Sequence, residues 1–469
     1  MSGGTMASRT PWAIGACLCA LLLLACTTLL IGAGGFAGSS PALAAATASS
    51  GVHVGVASCA GSTCHGRQEA TGKIVRQDEL LRWQEASSPT GAHSRAFQTL
   101  QSPRSQAIAA RLGIGAATSS EMCLGCHADP APGRGARFQV GDGVGCEACH
   151  GGAQNWLASH TAVGASHAGN VAAGMVPLEN ARARASNCLD CHFGSDRSGQ
   201  FVNHRIMAAG HPRLSFELDL FSTLQQHWNE DADYAQRKGR TSNVKMWAVG
   251  QAVALDRALA LYATPGIGQE GVFPEFYFFD CHTCHRRISD DPNFRPGVIA
   301  NPGRPIPSGM PAFNDENMIM LVAATRAAAP GMADRFEADS RAFHAALAKD
   351  RPSAIRAAGK LRGTADDLAA AFNGAAFGRA ETFAIIDAVT TGATAARYTD
   401  YQGSVQAVMA TDTLLSALVN SGAVGAGSAT SIRGDINRAY QAVREPNDYR
   451  PAEFRAALAR AATAIRALR

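Results

Sequence analysis

Strong charge of either sign is missing from this chain: 42 lysines and arginines nearly balance 38 aspartates and glutamates, leaving a formal charge of +4 over 469 residues. No basic stripe with interleaved aromatics is present, so no nucleic-acid partner is expected. Strand-like alternation is also scarce. Beyond residue 291 there is no cysteine and a single histidine, His344, which excludes a cysteine-based site from that part. Nor is any cysteine left over elsewhere once the pairs described below are counted. What remains is an ordinary globular composition, 46% hydrophobic, long enough for two or three domains.

The N-terminus carries a targeting signal. Arg9 precedes the apolar run "PWAIGACLCALLLLACTTLLIGAGGFAG", and "SSPALAAATASS" follows, with Ala42-Leu43-Ala44 as an A-x-A site. A basic start, an apolar centre and a small-residue site read as a secretory signal peptide over residues 1–44. Two alternatives stay open: an uncleaved leader kept as a membrane anchor, and a lipid attached at Cys26. In each case the body of the protein is exported, to the periplasm or beyond.

Of 13 cysteines, Cys17, Cys19 and Cys26 lie in that leader. The other ten form five pairs, each closed by a histidine: "CAGSTCH" (59–65), "CLGCH" (123–127), "CEACH" (146–150), "CLDCH" (188–192) and "CHTCH" (281–285). Disulfides are the default for an exported chain, but they give no reason for a histidine after every pair. A zinc site would want CxxC pairs in twos without that histidine. C-x-x-C-H is the c-type haem attachment sequence. Two thiols add to the two vinyl groups on one porphyrin edge, and the adjacent imidazole becomes the proximal iron ligand.

Four haem c groups are therefore expected, at Cys123, Cys126 and His127; Cys146, Cys149 and His150; Cys188, Cys191 and His192; and Cys281, Cys284 and His285. In the first stretch four residues separate Cys59 from Cys64. The porphyrin fixes the attachment points, so the extra residues need only bulge outward, which suits Gly61 and Ser62. A fifth haem is expected there, with His65 proximal.

Nine further histidines are present, eight of them between residues 53 and 282. That concentration favours distal ligation of iron over scattered surface histidines. His93, His160, His204 and His211 are the foremost candidates; His53, His167 and His227 are weaker. His282, inside a haem loop, can hardly reach over its own ring and is read as a bystander. Bis-histidine ligation sets a low potential.

These stretches resemble the multihaem cytochrome c-554 family, whose haem arrangement is shared with hydroxylamine oxidoreductase and the pentahaem nitrite reductases. The resemblance runs through "LLRWQEASSPTGAHSRAFQTL", "CLGCHAD", "GVGCEACHGGAQNWLASH" and "CLDCH", over about residues 55 to 195. It implies His93 as distal ligand to the haem at His150 and His160 as distal ligand to the haem at His65. It also implies an open or weakly occupied distal face at His127. The widened first motif, the fifth motif and the C-terminal region depart from the family founder. For the fourth and fifth haems the distal ligands are sought among His204, His211 and His227.

The fold class expected is mainly α with extensive loops: a multihaem cytochrome c domain over residues 45–290, then an α-helical bundle over 315–469. Within the first, "NVKMWAVGQAVALDRALALYA" (243–263) reads as a long helix with Val244, Trp247, Gln251, Leu255 and Ala258 on one face. Six prolines between residues 291 and 311 make residues 291–314 a linker or strap. In the bundle, Phe454, Leu458, Ala461, Ile465 and Leu468 form one stripe, and Phe336, Phe343 and Leu347 another. The bundle is expected to pack on the haem domain or a second subunit, with partner docking as the alternative.

The leading functional expectation is an exported electron carrier working between redox proteins, or docked to a membrane complex. The alternative is a multihaem oxidoreductase acting on a small nitrogen or sulfur compound at one open haem. Against it, no motif replaces the proximal histidine by lysine, and no acid–base pair marks substrate chemistry.

Overall fold

Long helices with many interior alanines dominate the second half of the chain, and short helices joined by long loops the first. The structure, a computed structural model, describes Met1 and residues 51–70, 76–268, 275–285, 305–307, 310–395 and 401–469. The leader and most of the proline-rich stretch lie outside the described residues. Among those described, the only paired strands are Val52–His53 and Gly133–Arg134, two residues each and parallel. The fold is mainly α with extensive loops, as the sequence indicates.

The expected long helix forms over Asn243–Ala263, opened by the Ser242 side chain accepting from the Lys245 amide at 3.4 Å. All five residues assigned to its inner face are buried, but so are nine others. Burial almost all round has a simple cause: helices Ala181–His192, Leu218–Leu224, Glu316–Ala328, Arg351–Gly374 and Tyr401–Asn420 all pack on it. A helix enclosed on every side needs no polar face. Gly250 permits the closest of these approaches, since a Cβ there would stand 2.6 Å from Leu218 Cβ.

The described residues of 316–466 form seven α-helices: Glu316–Ala328, Ala333–Leu347, Arg351–Gly374, Arg379–Thr394, Tyr401–Asn420, Ala426–Ala442 and Pro451–Arg466. Phe454, Leu458, Ala461 and Ile465 are buried along one stripe, and Phe336 and Phe343 along another, with Leu347 and Leu468 packed at the edges. One apolar core runs unbroken from Ala181 to Ile465. It crosses the boundary drawn between the haem-motif region and the bundle.

The 401–420 helix lies at the centre and is buried for nearly its whole length, polar residues included. Apart from Gln402 Oε1, those buried polar groups find partners, as burial demands. Gln406 donates to the Phe216 carbonyl at 2.8 Å and accepts from Gln251 at 3.1 Å, while Asn317 donates to Gln251 at 2.7 Å. Thr413 donates to Glu217 at 2.7 Å. These bonds fix the bundle against the segment that follows the fourth motif.

Candidate haem-binding sites

In a helix, residues three apart share a face and the fourth stacks beside the first. C-x-x-C-H written on a helix therefore presents both thiols and the imidazole to one side. The second to fifth motifs take this form: they close or occupy the helices Glu121–His127, Cys146–His150, Ala181–His192 and Cys281–Cys284. In the last, the His285 amide donates to the Cys281 carbonyl at 2.8 Å.

The widened first motif is a turn, yet it keeps the same closing bond. The His65 amide donates to the Cys59 carbonyl at 3.1 Å across the longer gap, and Gly61 to Thr63 are looped out to solvent. The two extra residues thus bulge outward as expected. None of the ten cysteines of the motifs is joined to another in a disulfide.

Opposite each histidine that closes a motif stands a second one. Ring centroids are 6.2 Å apart for His65 and His160, 6.0 Å for His93 and His192, and 6.3 Å for His127 and His211. They are 6.4 Å apart for His150 and His227 and 6.2 Å for His204 and His285. An imidazole nitrogen bonds a first-row metal at about 2.0 Å, and the ring centre lies roughly 1.1 Å behind it. Two imidazoles on one iron therefore stand about 6.2 Å apart. Each pair leaves room for one metal bound on both faces and for nothing larger along that axis. Among the described residues no group of three or more His, Cys, Asp or Glu side chains could hold a metal ion.

Hydrogen bonds fix the tautomers that such ligation requires. A ring that donates through Nδ1 keeps its Nε2 lone pair for metal. His127 Nδ1 lies 3.0 Å from the Ala96 carbonyl, His211 Nδ1 2.7 Å from the Pro212 carbonyl, and His227 Nδ1 3.2 Å from the Gln225 carbonyl. His65 Nδ1 instead meets a carboxylate, Glu79 Oε2, at 3.0 Å. Burial, with the neighbouring His227, pushes the His150 imidazole down to about 3. Burial, with the neighbouring His93, pushes His192 down to about 4. Both rings are thus neutral at physiological pH, the form that binds metal.

Two placements correct the readings drawn from the resemblance. His93 faces His192, not His150, whose partner is His227. Across from His127, where the resemblance implies an open face, stands His211. The placement of His160 opposite His65 agrees with the resemblance. The other histidines are held elsewhere. His53 lies 2.8 Å from Asp129, both buried; His167 is 2.6 Å from Glu179; His344 bonds the Ser340 carbonyl at 2.8 Å inside the bundle. The His282 side chain lies outside the described residues.

The motifs also lock onto one another. The Cys59 and Cys146 side chains are neighbours, and Cys126 Sγ lies 4.0 Å from the Cys191 carbonyl oxygen with Cys191 Sγ 3.8 Å from the Gly125 carbonyl oxygen. Gly125 permits the close approach of the loop after the fourth motif: a Cβ there would stand 2.4 Å from the Gly199 carbonyl oxygen. Glu147, the residue after Cys146, is buried and accepts from the amides of Val54 at 2.8 Å, Gly55 at 2.7 Å and Ala153 at 2.7 Å. Arg257 reaches from the long helix to Asp190, between Cys188 and Cys191, at 2.7 Å. The fifth motif is seated by the bundle, where Gln402 contacts Cys281 Sγ at 3.8 Å and the Asp280 amide donates to the Ala312 carbonyl at 2.8 Å. Sequence reasoning missed Glu79, Glu147 and Arg257, since no motif marks a carboxylate or guanidinium whose role is set by distant chain.

Residues 58–151 match the family described as Cytochrome c554 and c-prime. No curated protein and no solved structure matches the chain. The match takes in the first three motifs and ends at Gly151, one residue past His150. It supports a c-type cytochrome family, with haem c as the cofactor and electron transport as the activity class.

Proposed function

We propose that this protein is an exported pentahaem c-type cytochrome that transfers electrons between redox partners. The observation that carries the reading is the set of five histidine pairs at 6.0 to 6.4 Å, each with one member from a cysteine motif. Cys59 and Cys64, Cys123 and Cys126, Cys146 and Cys149, Cys188 and Cys191, and Cys281 and Cys284 would hold the porphyrins. His65, His127, His150, His192 and His285 would be proximal, with His160, His211, His227, His93 and His204 distal in that order. Haem c supplies a one-electron ferric–ferrous couple. The chain's part is to hold each imidazole neutral and oriented and to bring the motifs together.

The first motif lies beside the third, Cys59 next to Cys146, and the second beside the fourth, with Cys126 and Cys191 each against the other motif's backbone. His204 and His211, seven residues apart, link the sites of the fifth and second motifs. Cys284 and His285 are exposed, and the His65 side chain is 38% exposed. Surface positions at the first and fifth sites suit exchange with a donor and an acceptor protein. Export through the leader would put this activity in the periplasm or outside the cell. No described helix is long and apolar enough to cross a membrane.

An oxidoreductase would need an iron with a free face, and His211 opposite His127 takes away the one candidate. The test is a mass measurement of the mature holoprotein combined with stopped-flow kinetics. Five covalent haems, rapid exchange with a small redox protein and slow reoxidation by nitrite or hydroxylamine are expected. Sustained turnover of either substrate at many cycles per second, the usual enzymatic range, would replace the carrier reading with the enzymatic one.

A further inference from the structure

Of the five proximal histidines, His65 is the one whose Nδ1 meets a carboxylate among the described contacts. Glu79 Oε2 stands 3.0 Å away, whereas His127 Nδ1 meets a neutral backbone carbonyl, Ala96, at the same distance. Glu79 opens the short helix Glu79–Trp83, and the Leu80 amide donates to the His65 carbonyl at 3.0 Å. Backbone and side chain of His65 are therefore both tied to the same helical turn. That bracing holds the carboxylate in place as an acceptor.

An ionised acceptor draws the Nδ1 proton toward itself and leaves more electron density on Nε2. A more basic imidazole stabilises ferric over ferrous iron, because the ferric ion carries the greater charge. Resting on the pentahaem reading, we infer that Glu79 is a positioning residue that makes the site at His65 the lowest-potential of the five. On reductive titration each iron takes one electron, the Nδ1 proton stays on His65, shared with Glu79, and this site is the last to be reduced. Such a site accepts electrons only from a strong reductant and yields them readily to its neighbours.

The site carries its own spectroscopic label. His65 and His160 are 16° from parallel, while the other pairs lie at 36° to 86°. Near-parallel imidazole planes split the two iron dπ orbitals and give a rhombic low-spin paramagnetic resonance signal; near-perpendicular planes leave those orbitals close in energy and give an axial one.

Redox titration of the holoprotein monitored by paramagnetic resonance tests the proposal, using the wild type, Glu79→Gln and Glu79→Asp. In the wild type the rhombic signal should be the last to disappear. Glu79→Gln should move its midpoint to higher potential and leave the other four steps in place. Glu79→Asp, which keeps the charge, should lie closer to the wild type. A wild-type rhombic signal lost before the others would overturn the proposal, even if Glu79→Gln fails to retain its haem. So would an unmoved step in Glu79→Gln, or equal shifts in both variants. Fewer than five covalent haems in the wild type would instead count against the pentahaem reading.

Discussion

The first and second halves of the molecule are built from different cores. From residue 316 onward, seven helices enclose aliphatic and aromatic side chains such as Leu361, Phe372, Leu414 and Phe454, all fully buried. Between residues 51 and 180 the buried apolar side chains form only small groups. One joins Leu100, Ala109 and Ala117; another joins Ile108 and Leu112 with Val202, Ile206 and Ala209. The first 130 residues or so of the body thus bury too little apolar surface of their own to offset chain entropy. The difference teaches where each half obtains its stability: the bundle from its own side chains, the motif region from the groups its cysteines and histidines hold.

The largest expected effect comes from withholding haem. Apoprotein made without the attachment machinery should lose protection from hydrogen exchange over residues 51–180 and keep it in the helices of 316–466. Equal protection in both halves would break the contrast between them.

Next in size are losses of single distal ligands. His227→Ala should turn one low-spin iron high-spin and open it to carbon monoxide while all five covalent haems remain. His93→Ala should do the same at the site of His192, leaving that of His150 unchanged. A shared spectroscopic change in the two variants would mean that the pairing of His93 with His192 is wrong.

Phe454→Ala removes a fully buried ring from the bundle and should cost about 3–5 kcal/mol. Its effect should appear in chemical denaturation of the bundle, with the visible spectrum unchanged. The smallest change is Glu147→Gln, which gives up the negative charge behind three amide bonds. A cost of about 1.5–3 kcal/mol is expected for weakening bonds to a charged acceptor, read as earlier thermal loss of the spectra from the first and third motifs only.

Much of this was legible in the sequence, for identifiable reasons. Thioether chemistry fixes the spacing of cysteine and histidine so tightly that Cys123, Cys126 and His127 announce a site without any fold. The helix 243–263 was legible because its apolar residues recur at helical spacing. The pairing of histidines was not, apart from His65 with His160. A distal ligand needs only to reach an iron from outside its motif, and no local rule connects His93 to His192 or His227 to His150, over 99 and 77 residues of chain. Glu79 and Glu147 were silent for the same reason, since each acts on a backbone or ring supplied by another segment.

The central claim is that five irons each sit between two imidazoles, and paramagnetic resonance of the oxidised holoprotein tests it most directly. The account predicts low-spin signals integrating to five irons per chain, one rhombic and the rest more axial, with no high-spin component. A high-spin signal integrating to one iron per chain, or a low-spin total of four, would contradict it.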